Sequence, residues 1–353
     1  GRIMNYIGSK FSILNFIDDT VKKFCKLDKE DITFCDIFSG TGVVGKHFKK
    51  KGYNIISNDI EVYSYITAKH FIENNNIIEF NKLKEIGIND VFKYLNELEG
   101  EEGFIYNNYS MAGTKNKEYE RQYYSDENAK KIDAIRMKIQ EWKEKELLLE
   151  EEECYLIASL IESADKVANT ASVYEAFLKQ LKKSALKPLI FEPVKVLISD
   201  SDKKYKVYNM DCNVLIDNIE GDILYMDPPY NTRKYDTNYH ILETIALYDN
   251  PIIKGKTGVR SETIKRSKYS MKREAKRAFE DLVSKAKFRY ILLSYNDEGI
   301  ISKEDIKDIM SKYGKYKCYS KRHRRYKADN KRDYVKNFTI EYIHCLEKDI
   351  DFE

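Results

Sequence analysis

Proline is scarce and late in this chain: five occur in 353 residues, and none precedes Pro188. The first half therefore carries no proline to break a helix. Cysteine is equally thin. Six are scattered singly at positions 25, 35, 154, 212, 318 and 345, with no C-x-x-C pair and no ladder of close spacings, which excludes a disulfide scaffold and argues against a zinc site. They read as reduced thiols of a cytosolic protein. No apolar run approaches the roughly 18 residues of a membrane span, and the mean hydropathy is −0.61. A secretory leader is not expected, because Lys10, Asp18 and Asp19 interrupt the apolar residues near the start. Gly1-Arg2-Ile3 reads as an addition ahead of Met4, the expected natural start.

What is present is length, apolar content and segregated charge. The length allows two domains or one domain with a large insertion, and 42% hydrophobic residues suffice for a sizeable core. A net charge of +3 hides its distribution. Residues 254–289 hold 13 Lys and Arg against 4 Asp and Glu, and residues 312–336 hold 11 against 2. Two stretches of +9 suit a surface laid on a polyanion, or a solvated lysine-rich face.

Residues 32–38 form a short apolar run that ends in Ser39-Gly40-Thr41-Gly42, with helical spacing from Val43 to Phe48. That is strand, tight turn, helix. Residues 53–57 read as a second strand stopping at Asn58-Asp59, and 62–74 as a second helix. Such alternation predicts a parallel, doubly wound sheet. It then ceases. Residues 76–190 read as a mainly helical insertion, with helices over 128–144 and 155–167, between catalytic parts 4–75 and 191–353. Strands resume at 206–208, 223–226 and 290–295, and 316–325 with 337–346 predict a closing β-hairpin.

Two places carry chemistry. In Asp36-Ile37-Phe38-Ser39-Gly40-Thr41-Gly42 the glycines allow a sharp turn and close approach of a ligand at a strand's carboxyl end. The turn lacks the third glycine of a dinucleotide fingerprint and the Gly-Lys-Ser/Thr of a phosphate loop. Asp59 ends the next strand, where a carboxylate can hold two ribose hydroxyls. Together they suggest a nucleoside ligand without pyrophosphate, a description S-adenosylmethionine fits.

The second place is Asp227-Pro228-Pro229-Tyr230, directly after a strand. Consecutive prolines force the chain out along a fixed, extended path. An exocyclic amine is a poor nucleophile because its lone pair is delocalised into the ring. The Asp227 carboxylate and the Pro228 carbonyl, one on each N–H, would favour pyramidalisation while Tyr230 stacks on the base. In-line transfer then needs neither a covalent intermediate nor a metal.

The set Asn5-Tyr6-Ile7-Gly8-Ser9-Lys10, the glycine turn, Asn58-Asp59, Asp211-Cys212 and Asp227-Pro228-Pro229-Tyr230 resembles the N6-adenine DNA methyltransferases of the alpha arrangement. That group includes Dam-like enzymes and many type II restriction-modification methylases. The order of cofactor loop, glycine turn, target-recognition insertion and catalytic tetrad spans nearly the whole chain. The resemblance implies S-adenosylmethionine as cofactor and double-stranded DNA as partner. It also implies a flipped-out adenine as target, a cognate endonuclease acting separately, and residence in the bacterial cytoplasm on the nucleoid. By position it assigns Tyr6 and Lys10 to the cofactor border, Phe38, Gly40 and Gly42 to the turn under the methionine moiety, and Asp59 to the ribose. Asp211 matches the acid on the cofactor's adenine, with Cys212 where relatives often carry phenylalanine.

For DNA, residues 231–240 form a polar and aromatic loop that could close over a flipped base, with Arg233 and Lys234 on the duplex. His240 is not expected to be catalytic. Lys256 and Arg260 are expected on the DNA backbone, as are Lys321, Arg322, Arg324 and Arg325 on the hairpin. Arg121-Gln122-Tyr123-Tyr124 and residues 169–174 supply side chains of the kinds that read base edges. Cytosine N4 of DNA, adenine N6 of RNA, a protein glutamine, and a DNA-binding regulator without catalysis stand as alternatives.

Overall fold

The computed structural model describes residues 7–200, 202–229, 239–261, 268–324 and 338–349, without the side chains of residues 7–11, 323 and 324. Nine strands are present among them. They are β1 (Thr33–Asp36), β2 (Asn54–Asn58), β3 (Tyr205–Tyr208), β4 (Glu220–Met226), β5 (Ile253–Lys254), β6 (Val259–Arg260), β7 (Lys287–Asn296), β8 (Gly314–Arg324) and β9 (Phe338–Lys348). Seven form one sheet in the order β3-β2-β1-β4-β7-β9-β8. Pairing is parallel from β3 to β7, and β9 runs antiparallel to both β7 and β8. The expected doubly wound sheet with a closing hairpin is therefore present.

The central strands read as apolar runs because both faces are covered. On one face Phe34 stacks on Phe48 of the helix Val43–Lys50 at 4.0 Å and on Tyr225 at 6.0 Å. On the other, Cys35, Ile37, Leu224, Met226, Ile291 and Leu293 pack with the helix Ala275–Lys285. All six cysteines are unpaired thiols, five of them buried.

The chain divides into two compact units. One, the sheet unit, holds Ser9–Ile60, Asp200–Tyr235 and Arg266–Glu353. The other, the helical unit, holds Glu61–Ser199 and Asp236–Lys265, with Gly1–Gly8. The segment 76–190 thus lies inside a larger helical unit, which also takes in the helix Val62–Ala68 and residues beyond the tetrad.

The long helices of this unit, Asp126–Glu144 and Glu150–Lys166, start slightly before the positions expected from spacing. Ser125 caps the first through Asn128 N–H, and four glutamates occupy the first turn of the second, where the helix dipole favours them. Buried polar groups then join the pieces. Asp133 accepts Gly103, Ile105 and Tyr106 N–H at 3.0, 2.9 and 2.8 Å, and the Tyr248 hydroxyl at 2.7 Å. Burial pushes its carboxyl up to about 6. Arg136 donates to Ile245 and Ala246 carbonyls at the end of the helix His240–Leu247, and Glu243 in that helix accepts Val62 and Tyr63 N–H at 3.0 and 2.7 Å.

Candidate active site

In an open α/β sheet, ligands bind outside the carboxyl ends of the strands where the winding direction reverses. Here the order places that reversal between β1 and β4, since β2 and β3 extend one way and β7 the other. Asp36, the last residue of β1, is in register with Tyr225, two residues before Asp227. The glycine turn and the tetrad therefore leave neighbouring strands side by side. In strand order, the carboxyl ends of β3, β2, β1 and β4 carry Asp211, Asp59, Asp36 and Asp227 at one edge.

The turn is built for close approach. Gly40 and Gly42 have φ of 51° and 79°, values a side chain resists. A Cβ built on Gly42 would meet nothing within 4 Å, so the requirement there is backbone shape, with open space beside it. Ser39 N–H donates to the Asn58 carbonyl at 2.8 Å, and Gly40 N–H donates to Asp59 Oδ2 at 2.8 Å. The carboxylate that ends β2 thus fixes the turn that ends β1.

Asn58, adjacent to it and buried, links three strand ends. Its Nδ2 donates to the Ile37 and Met210 carbonyls at 3.2 and 2.9 Å, and its Oδ1 accepts Met210 N–H at 3.0 Å. Asn209 adds donations to the Asp59 and Ile60 carbonyls. This framework role was missed in the sequence; its signal is an amide at a strand end followed by an acid.

Asp211 caps the short helix Cys212–Leu215, accepting Asn213 N–H at 2.8 Å through Oδ1 on an exposed residue. Cys212 is buried, and burial pushes its thiol up to about 12. Tyr269, which the sequence reading did not single out, lies in the same cluster, edge-on to Phe38 at 5.1 Å. It donates to Asn213 Oδ1 and is buried against Cys212. Tyr269 thus puts an aromatic ring beside this cysteine.

At the tetrad, Asp227 and Pro229 are half-buried and Pro228 is buried. The Tyr225 hydroxyl, two residues before Asp227, lies 2.7 Å from Ser294 Oγ of β7, and burial with the nearby Asp227 charge holds its pKa well up. Tyr230, Arg233 and Lys234 lie outside the described residues, as do Tyr6 and Arg325. Ile7–Lys10 opens the helix Ile7–Phe24 instead of forming a loop, which places Lys10 on that helix with its side chain outside the described set.

The basic candidates divide. Lys321 and Arg322 are exposed near the end of β8, with Arg322 over the Phe338 ring at 5.2 Å, and Arg324 closes that strand. In the helical unit Lys256 is exposed in the turn between β5 and β6. Arg260 corrects the expectation. It is 5% exposed, and its two terminal nitrogens hold the Asp249 carboxylate at 2.8 and 2.6 Å. A guanidinium committed to a bidentate pair inside the unit is a scaffold, not a phosphate contact.

The same correction applies to five of the candidate base readers, whereas Gln122 is half-buried. Arg121 is 6% exposed and donates to the carbonyls of Asn108, Gly255 and Lys256. Tyr123, Tyr124 and Tyr174 are fully buried, and Asn169 joins the Gln122 and Leu178 carbonyls to Lys182 N–H. His240 is buried on the Tyr174 carbonyl at 2.7 Å, and desolvation lowers its pKa to about 4.

A mostly parallel sheet with a reversed strand beside β7, a glycine turn linked to an acid, and a proline-fixed acid on the next strand is the architecture of a methyltransferase-like α/β protein. A family model described as D12 class N6 adenine-specific DNA methyltransferase matches residues 6–309, and the chain belongs to that family. It is 46% identical over 347 residues to the type II methyltransferase M.NlaIII of Neisseria lactamica, covering 98% of this chain and 99% of that protein. It is 43% identical over 354 residues to M.FokI of Planomicrobium okeanokoites, of which it spans 53%. M.CviAII of Paramecium bursaria Chlorella virus 1 is 33% identical over 329 residues, with 92% of this chain and 93% of that protein covered.

Proposed function

We propose that this DNA methyltransferase takes its methyl group from S-adenosylmethionine and delivers it to a flipped-out adenine within a fixed sequence, as the modification half of a restriction-modification pair. The observation that carries the reading is the register of Asp36 with Tyr225, which sets the glycine turn beside the exit of Asp227-Pro228-Pro229. The rim fits a cationic nucleoside. It offers carboxylates at four strand ends, open space at Gly42 and no phosphate loop. Phe38, Gly40 and Gly42 would border the methionine part, Asp59 the ribose and Asp211 the adenine amine, with Tyr6, Lys10 and Cys212 around it.

Bound S-adenosylmethionine supplies an electrophilic methyl group on a sulfonium. The remaining work falls to this chain. Asp227 accepts one N–H of the target amine and the Pro228 carbonyl the other, which concentrates the lone pair on nitrogen as it attacks. Pro229 fixes the path, and Tyr230 holds the base in plane. The amine proton leaves by way of Asp227 to water. Arg233 and Lys234, with Lys256 and the hairpin residues Lys321, Arg322, Arg324 and Arg325, would hold the duplex phosphates.

The test offers labelled S-adenosylmethionine with DNA, RNA and protein, followed by digestion to nucleosides and amino acids. Label in N6-methyladenine from DNA is expected; label mainly elsewhere overturns the reading. Sequencing modified bases in DNA from cells expressing the chain then names the motif.

A further inference from the structure

With Arg121, Tyr123, Tyr124 and Asn169 committed to the scaffold, sequence discrimination in the helical unit must come from other side chains. Residues 111–120 are all exposed except Gly113 and Thr114. This loop stands on a rigid base. Thr114 Oγ1 donates to the Ser110 carbonyl at 2.6 Å and accepts Arg121 N–H at 2.9 Å, and Ala112 N–H reaches Asp126 at 2.9 Å. Lys117 folds back onto the Asn107 carbonyl, and Tyr119 lies 5.7 Å from the Arg121 guanidinium.

The same guanidinium reaches a second surface segment. Arg121 donates to the Gly255 and Lys256 carbonyls at 2.5 and 3.2 Å, in the turn joining β5 to β6. Tyr109 Oη donates to the Gly258 carbonyl at 2.7 Å, and Tyr123 Oη to that of Thr257 at 2.9 Å. Gly258 has φ of 72°, and a Cβ there would sit 2.8 Å from Arg121 Nε, so glycine is required twice over. Lys254 and Lys256 are exposed on this turn. One buried arginine therefore holds two polar surface segments in fixed relation. Cations stand on both, and on the loop the Asn116 amide lies between Lys115 and Lys117, with the Glu118 carboxylate next after them.

We propose that loop 115–120, flanked by the Lys254 and Lys256 turn, is the surface by which the helical unit reads its target duplex. It rests on the site-specific function proposed above. Lys115, Lys254 and Lys256 meet phosphates. Asn116 and Glu118 present an amide and a carboxylate to base edges in the major groove, where an amide matches adenine and a carboxylate accepts from the cytosine amine. A reading group needs a supporting shell that holds it still, and the Arg121 clamp supplies one.

The experiment uses the full chain carrying Asn116→Gly or Glu118→Gln. The first keeps the left-handed backbone at φ 66° while removing the amide; the second keeps the shape and removes the charge. Each is assayed on duplexes bearing the chain's own motif and every single-base change within it, with motif sequencing in parallel. At least one variant should lower the preference for the motif base at one position by about tenfold or more. Paired Lys254→Ala and Lys256→Ala should instead weaken binding on all sequences and reduce the salt slope by about one per lysine. Preferences unchanged within twofold in both loop variants, or an equal fall on every site, overturn the proposal. Random methylation by the unaltered chain would refute site specificity itself, a result separate from an intact motif that neither variant alters.

Discussion

Buried polar side chains do opposite jobs in the two units. In the sheet unit those beside the site work at the strand ends, where Asn58 and Asp59 tie the ends of β1, β2 and β3 together along a rim of carboxylates. In the helical unit Asp133, Arg136, Arg121, Asn169 and Arg260 point inward and satisfy backbone groups or each other. A parallel sheet satisfies its strands through its own ladder, so polar side chains at its carboxyl edge have only the turns between strand ends to fix. A bundle of short helices leaves orphan ends, and polar side chains are drawn in to meet them. The same residue type therefore signals chemistry in one unit and carpentry in the other.

The sharpest way to break this contrast is to remove one group of each kind. Asp227→Ala should lower the single-turnover methylation rate by about a hundredfold or more, with an unchanged melting temperature; a tenth of the activity retained would refute its role at the amine. Arg121→Met should do the reverse. Losing three part-buried hydrogen bonds to the carbonyls of Asn108, Gly255 and Lys256 should cost about 2–4 kcal/mol by denaturant unfolding, while the enzyme that remains folded keeps its single-turnover rate and discriminates less sharply at the motif, because loop 115–120 is no longer clamped. An unchanged unfolding midpoint would remove Arg121 from the scaffold.

Acid should separate the units next. His240 and His344 are both buried and lowered to about 4 from an ordinary 6.5, His240 mainly by desolvation and His344 likewise beside Lys303. Between those values the unfolded chain binds protons that the fold refuses, so each histidine withdraws roughly 3 kcal/mol as pH falls through that window. Asp133 and Asp165 are raised to about 6 by burial. Below 6 the fold binds their protons before the unfolded chain does, which adds stability down to the ordinary carboxylate range. They share the helical unit with His240, whereas His344 stands in the sheet unit. Hydrogen exchange between pH 7 and 4.5 should therefore show protection falling across β7, β9 and β8 more than across the helices; equal loss in both would contradict the assignment. The smallest effect is expected from Lys321→Ala and Arg322→Ala, each lowering the slope of log affinity against log salt by about one, with the motif and the maximal rate retained.

The sheet unit was legible in the sequence because its site is made of backbone punctuation. Glycines with positive φ, two prolines and acids after apolar runs mark strand ends wherever they fall. Asn58 and Tyr269 were not legible, since an amide's three partners and an aromatic's neighbours come from strands distant in sequence. Nor was the two-residue pairing of β5 with β6, too short for periodicity to register. In the helical unit Arg121, Tyr123, Tyr124, Asn169 and Tyr174 are residue types that suit base reading but are buried, because spacing does not tell which face of a polar residue meets solvent.

The Arg121 clamp has a consequence for the nascent chain. Its acceptor at Gly255 lies 134 residues downstream, and Arg136 waits 109 residues for Ile245. Between these partners the chain lays down β3 and β4 of the other unit. The helical unit therefore cannot close while its first half leaves the ribosome. Two buried guanidiniums must stay hydrated until the tetrad strand has been made, so completion of the reading surface follows synthesis of the chemistry it will direct.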